Sequence, residues 1–142
     1  MYKCWQIKQH IHKAQRGGLE IPEWILKENP QDLCKFCNGV GPERAPKWVR
    51  NFITAVMRHL QQTAIIHDCD YHKSDNTPEG RRDADRRFLW NGIRESKQYY
   101  RWWQPCRWIL QLKAVACYLA LEKWGEQAWQ DAFNNNQKGN SK

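Results

Sequence analysis

The chain has no apolar run long enough to span a bilayer and no apolar stretch behind Met1-Tyr2-Lys3-Cys4-Trp5-Gln6, so neither a membrane span nor a secretory signal is expected. It reads as soluble and unexported, cytoplasmic as synthesised. No segment sustains a period-two alternation, which argues against a half-buried sheet, and no internal repeat appears. Acidic residues are in deficit, 15 against 23 Lys and Arg, and the net charge of +8 favours an anionic partner, phospholipid or nucleic acid. No nucleic-acid-binding motif is present, so no specific nucleic acid is expected. The six cysteines are even in number, but without an export signal free thiols are the expectation.

What is present suits one domain: 142 residues can bury a core without help from disulfides or metal. Residues 3 to 15 predict a short helix ended by Gly17-Gly18, and Pro22 opens another through Trp24, Ile25 and Leu26 that fades before Asn29-Pro30. Glycines, prolines and two cysteines break up Asp32 to Pro46, which reads as a structured loop. Trp48, Phe52, Val56 and Leu60 step by four and continue to Ala64, predicting helix from Lys47 towards Tyr71. Thr77-Pro78-Glu79-Gly80 starts a helix that carries Asp85, Phe88, Leu89 and Ile93 inward, with Asp75 or Thr77 as its cap. After Pro105, Ile109, Leu112, Val115, Ala116, Leu119 and Ala120 recur at helical spacing, with a break or kink expected at Gly125. The fold class is mainly α, a single helical domain over residues 1–133, with a disordered polar tail at 134–142. Nine tryptophans, several in Tyr99-Tyr100-Arg101-Trp102-Trp103-Gln104-Pro105-Cys106-Arg107-Trp108, suit a core and its rim and also suit a membrane interface.

The segment with most chemistry is Ala64-Ile65-Ile66-His67-Asp68-Cys69-Asp70-Tyr71. On a helix His67 and Tyr71 share a face, and Asp68 lies a quarter-turn from His67, so both can line one cleft. The imidazole is placed to serve as general base towards a water, and the carboxylate to hold a metal that polarises a carbonyl. Upstream, the alternate glycines of Asn38-Gly39-Val40-Gly41-Pro42 let the carbonyls of Cys37, Gly39 and Gly41 converge, the hard-oxygen set that Ca2+ prefers. Downstream, Asp85 is the natural orienting partner for the second imidazole nitrogen, with Asp83 the alternative from the same segment. Taken singly, the loop is also an ordinary turn and the His-Asp pair an ordinary polar surface.

The order of glycine loop, helix with His67-Asp68-x-x-Tyr71, and helix with Asp85 three residues before Phe88 resembles the phospholipase A2 superfamily over roughly residues 36 to 90. The likeness is to its short bacterial and viral members rather than the disulfide-rich secreted enzymes. It implies a small helical domain in which two antiparallel active-site helices sit beside an irregular metal loop. His67 would be the catalytic base and Asp68 the side-chain calcium ligand. Tyr71 and Asp85 would support the histidine, and the carbonyls of Cys37, Gly39 and Gly41 would complete the metal site. It implies a calcium-dependent hydrolase in lipid degradation, with a phospholipid membrane as substrate, water attacking the sn-2 ester and Cys69 a bystander. The chain departs from the family in having Pro42 after the second glycine, a long stretch between loop and His67, and no cysteines stapling the two helices.

Other readings differ in class. A non-catalytic phospholipase-like scaffold is one. Another is a basic module binding membrane or nucleic acid, stabilised by zinc, with Cys34-x-x-Cys37 completed by His67, Cys69 or His72.

Overall fold

The computed structural model describes residues 3–37, 45–73 and 77–139. Seven helices and no strand are found among the described residues: α1 Cys4–Arg16, α2 Glu23–Lys27, α3 Pro30–Phe36, α4 Lys47–His59, α5 Gln61–Lys73, α6 Pro78–Tyr99 and α7 Pro105–Gly139. The mainly-α class is therefore what the chain adopts. Helix starts follow local chemistry. Pro30 and Pro78 take first-turn positions, where no backbone donor is lost from the helix, while Asn29 and Thr77 accept from the amides of Gln31 and Gly80. α3 corrects the expectation of a loop from Asp32 onward, because the Asn29 cap outweighs the two cysteines. The loop residues 38–44 lie outside the described residues.

The helix predicted from Lys47 towards Tyr71 is two helices, parted at Leu60. The break exposes the first amides of α5, and a remote carboxylate meets them: Glu95 of α6 accepts from Gln62 N at 3.2 Å and Thr63 N at 2.9 Å. Glu95 is fully buried, and a negative group at a helix N-terminus is favoured by the orphan amides and the dipole together. Tyr99 donates to the same carboxylate at 3.0 Å.

α5 is the central helix. Its buried residues include Gln62 to His67 without interruption and Cys69 to Tyr71, so apolar neighbours surround it on nearly every side. Ile65, Ile66 and Cys69 pack with Ile7, Ile11, Ile25 and Leu33 of the first three helices. On the other side Phe88 of α6 joins Val49, Ile53, Val56 and Leu60 with Leu110, Ala114, Cys117 and Leu121 of α7. α6 meets α7 closely at Gly92, where an added Cβ would lie 3.0 Å from the Ala114 Cβ. As numbering rises from Gln62 to Tyr71, hydrogen-bond partners fall from Tyr99 to Asp85, so α5 and α6 run antiparallel.

In two helices the residues that mark the period coincide only in part with those that are buried. In α4 the buried stripe is Val49, Ile53 and Val56, whereas Trp48 is 69 % exposed. In α7 Leu110, Ala114, Cys117 and Leu121 go inward, leaving Ile109, Leu112, Val115, Ala116 and Leu119 outward. No break occurs at Gly125, and α7 is described to Gly139, into the segment expected as a polar tail. The expectation of free thiols is also corrected: Cys4 and Cys34 form a disulfide that ties α1 to α3, while Cys37, Cys69, Cys106 and Cys117 are free.

Candidate active site

His67 sits on the α5 face turned to α6, between Tyr71 one turn along and Phe88 across the helix pair. Its ring centroid is 4.1 Å from that of Tyr71 and 5.2 Å from that of Phe88. Only 3 % of its surface is exposed. Its Nε2 lies 3.0 Å from Asp85 Oδ1, and the Tyr71 hydroxyl donates to the same oxygen at 2.6 Å. Asp85 is itself 1 % exposed. A buried carboxylate that accepts from both partners fixes the neutral imidazole as the Nε2–H tautomer, which leaves Nδ1 with the free lone pair a base requires. Asp83, the alternative partner, is instead an exposed residue 3.6 Å from Arg86.

The helices place this group by packing. Tyr71, Ala84 and Trp129 form a small buried cluster. Gly125 is required here, because an added Cβ would stand 2.9 Å from the Tyr71 hydroxyl. The glycine therefore lets α7 close over the tyrosine rather than kinking the helix. Arg87, two residues beyond Asp85, donates to Asp70 at 2.5 Å and to Glu20 at 3.1 Å, bracing α5 and the α1–α2 connection against α6. Asn91 clasps the Glu20 backbone through two 2.8 Å hydrogen bonds. Burial raises the Asp70 carboxyl, with Arg87 pulling the other way. For Arg87, burial disfavours the charge, but Asp70 and Glu20 outweigh it and raise the guanidinium.

Burial and then the Asp85 charge push the Tyr71 hydroxyl well above its usual range, so it remains a neutral donor. An unfolded tyrosine ionises near pH ~10. The stability linked to Tyr71 is consequently complete below about pH 10 and is lost as pH rises beyond it. Thermal melts are expected to fall in Tm above about pH 10, with a shallower alkaline slope in Tyr71→Phe. Tyr99, pushed up to about 12 by burial and Glu95, supplies part of the remaining slope.

The other residues expected at the site divide sharply. Asp68 is half-buried and adjoins His67 on α5. Gly39 and Gly41 lie outside the described residues, so the convergence of three carbonyls is expected only. Cys37 is described, and its thiol turns into the core, 3.7 Å from the Cys69 sulfur. Its hydrogen bond with Cys37, then burial, raises the Cys69 thiol above its usual range, so the thiol stays protonated and is no activated nucleophile. The zinc alternative loses its ligand pair, because Cys34 is bonded to Cys4 and Cys37 faces Cys69. No group of three or more His, Cys, Asp or Glu side chains that could hold a metal occurs among the described residues. Sequence reading missed Glu95, Arg87 and Asn91, whose partners on other elements lie 17 to 71 residues away; only the charge of Arg87 beside Asp85 offered a signal.

Comparison with family models, with curated proteins and with solved structures gives no match for this chain.

Proposed function

We propose that the chain is a phospholipase A2-type hydrolase that uses calcium to cleave the sn-2 ester of a glycerophospholipid. The observation that carries this reading is the buried His67–Asp85–Tyr71 group, with Asp68 directly beside the histidine. A water positioned at His67 Nδ1 would lose its proton to the imidazole as its oxygen attacks the ester carbonyl carbon. Asp85, held by Tyr71, would stabilise the imidazolium so formed. The same proton then passes from Nδ1 to the departing glycerol oxygen, giving a free fatty acid and a lysophospholipid. No bond forms between protein and acyl group, and the neutral Cys69 thiol takes no part.

The donor set this reading assigns to the metal consists of hard oxygens. Asp68 would supply the carboxylate and Cys37, Gly39 and Gly41 their carbonyls, since the Cys37 sulfur is committed to the core. This is a calcium set and not a zinc set. Bound there, the ion would polarise the ester carbonyl and stabilise the oxyanion.

Calorimetric titration tests the metal half of the proposal on its own. Wild type is expected to bind one Ca2+ saturably, and Asp68→Asn to lose affinity by more than about a hundredfold, beyond what removing an outer-shell partner costs. Equal affinity in the two proteins would remove Asp68 from the site.

A further inference from the structure

Helix α7 is apolar on two sides but covered on one. The inward side is the Leu110, Ala114, Cys117 and Leu121 stripe. The outward side carries Trp108, Leu112, Val115, Ala116 and Leu119, which fall within about 100° of helix circumference and extend about 16 Å along the axis. Leu112 is 69 % exposed and Leu119 is 56 % exposed, higher than scattered surface leucines require. At the N-terminal end of this stripe, the turn between α6 and α7 adds Trp102 and Trp103, also outward. That end is held in shape: the Trp108 indole donates to the Trp102 carbonyl at 3.0 Å, Arg101 lies over the Trp103 ring at 5.0 Å and Arg107 over the Trp108 ring at 5.9 Å.

Charge decides what covers the face. From residue 97 to residue 121, which spans the tryptophan turn and the stripe, the charged residues are Lys97, Arg101, Arg107 and Lys113, all positive, and the exposed carboxylates Glu122 and Glu126 follow beyond its far end. Nucleic acid would meet the cations but gain nothing from Leu112, Val115 and Leu119. An anionic bilayer satisfies both features, taking the aliphatic stripe into the acyl boundary, tryptophans at headgroup level and cations against lipid phosphates.

We propose that the outward face of α7, with the Trp102–Trp103 turn, docks the protein on anionic phospholipid bilayers. This rests on the phospholipid reading above and places the surface that delivers the protein to its substrate. It assigns binding to residues that play no part in the His67 group, so the two can fail separately.

The test pairs wild type with Leu112→Asp/Leu119→Asp, both positions being solvent-exposed and the variant's fold checked by circular dichroism. Cosedimentation is measured in chelator with vesicles of mixed phosphatidylcholine and phosphatidylglycerol, and with phosphatidylcholine alone. The wild type is expected to bind the mixed vesicles and prefer them, and the variant to lose at least about tenfold in affinity. Hydrolysis of a short-chain phospholipid dispersed as monomers is expected to stay within about twofold in the variant, because the chemistry is untouched. Loss of vesicle binding in a protein that cleaves no monomer would leave the docking face standing and sink the hydrolase reading. Undiminished vesicle binding by the variant overturns the docking face, as does a wild-type dimer that the substitutions dissociate without any vesicle binding. Oligonucleotide binding as tight as vesicle binding, and insensitive to the leucines, overturns it as well.

Discussion

His67→Gln is expected to lower sn-2 ester hydrolysis by about 10²- to 10⁴-fold, the span that a positioned general base contributes. Glutamine can still donate towards Asp85 Oδ1, but it has no lone pair able to take a proton from water at neutral pH. The effect should fall on kcat rather than on KM, because the base acts in the transition state and does not hold the lipid. Vesicle affinity should not change, since the α7 face is left intact. A steady-state assay with labelled phospholipid separates these quantities, and a variant retaining wild-type kcat would remove the imidazole from the mechanism.

Asp85→Ala should show the largest effect on stability. It leaves the His67 Nε2–H and the Tyr71 hydroxyl buried with their common acceptor removed, and each orphaned group costs about 1–3 kcal/mol. The sum, about 2–6 kcal/mol, is a large part of the stability of a domain this size. Asp85→Asn provides the control. Oδ2 accepts no hydrogen bond from the described residues, so an asparagine can direct its amide nitrogen there and keep its oxygen for His67 and Tyr71. Its amide N–H donors are then buried without an acceptor, at about 1–3 kcal/mol, so it should cost roughly half as much stability as Asp85→Ala and still lose about tenfold or more in activity, because the charge that stabilises the imidazolium is gone. Urea unfolding beside the activity assay distinguishes the two. Equal destabilisation by both substitutions would show that Asp85 acts through its charge in folding and not as a shared acceptor.

The helix pair that carries His67, Tyr71 and Asp85 is legible in the sequence because its signals are local. His67 and Tyr71 share a face at one-turn spacing, and Thr77-Pro78 marks where the next helix begins. The burial of α4 and α7 is not legible in the same way. Each has two apolar stripes, and periodicity identifies a helix without saying which stripe its neighbours cover. In α4 the surplus stripe includes Trp48, whose ring meets Trp124 edge-on at 6.5 Å instead of entering the core. In α7 the surplus stripe is the proposed docking face. Glu95 escapes notice for a different reason. It reads as one more charge on a polar helix, and its role exists only because α4 and α5 part at Leu60, 35 residues earlier in the chain, opening amides that need an acceptor. The Cys4–Cys34 disulfide likewise depends on α1 lying against α3, which no local pattern reveals.

The central claim is that the buried His67–Asp85–Tyr71 group and Asp68 together cleave a phospholipid ester. It is tested most directly by incubating the wild-type protein with vesicles of phosphatidylglycerol labelled separately in the sn-1 and sn-2 chains, with calcium and with excess chelator. Release of the sn-2 chain alone, in calcium alone, is the predicted result. Release that persists in chelator, or no release at all from calcium-loaded protein bound to the vesicles, would contradict it.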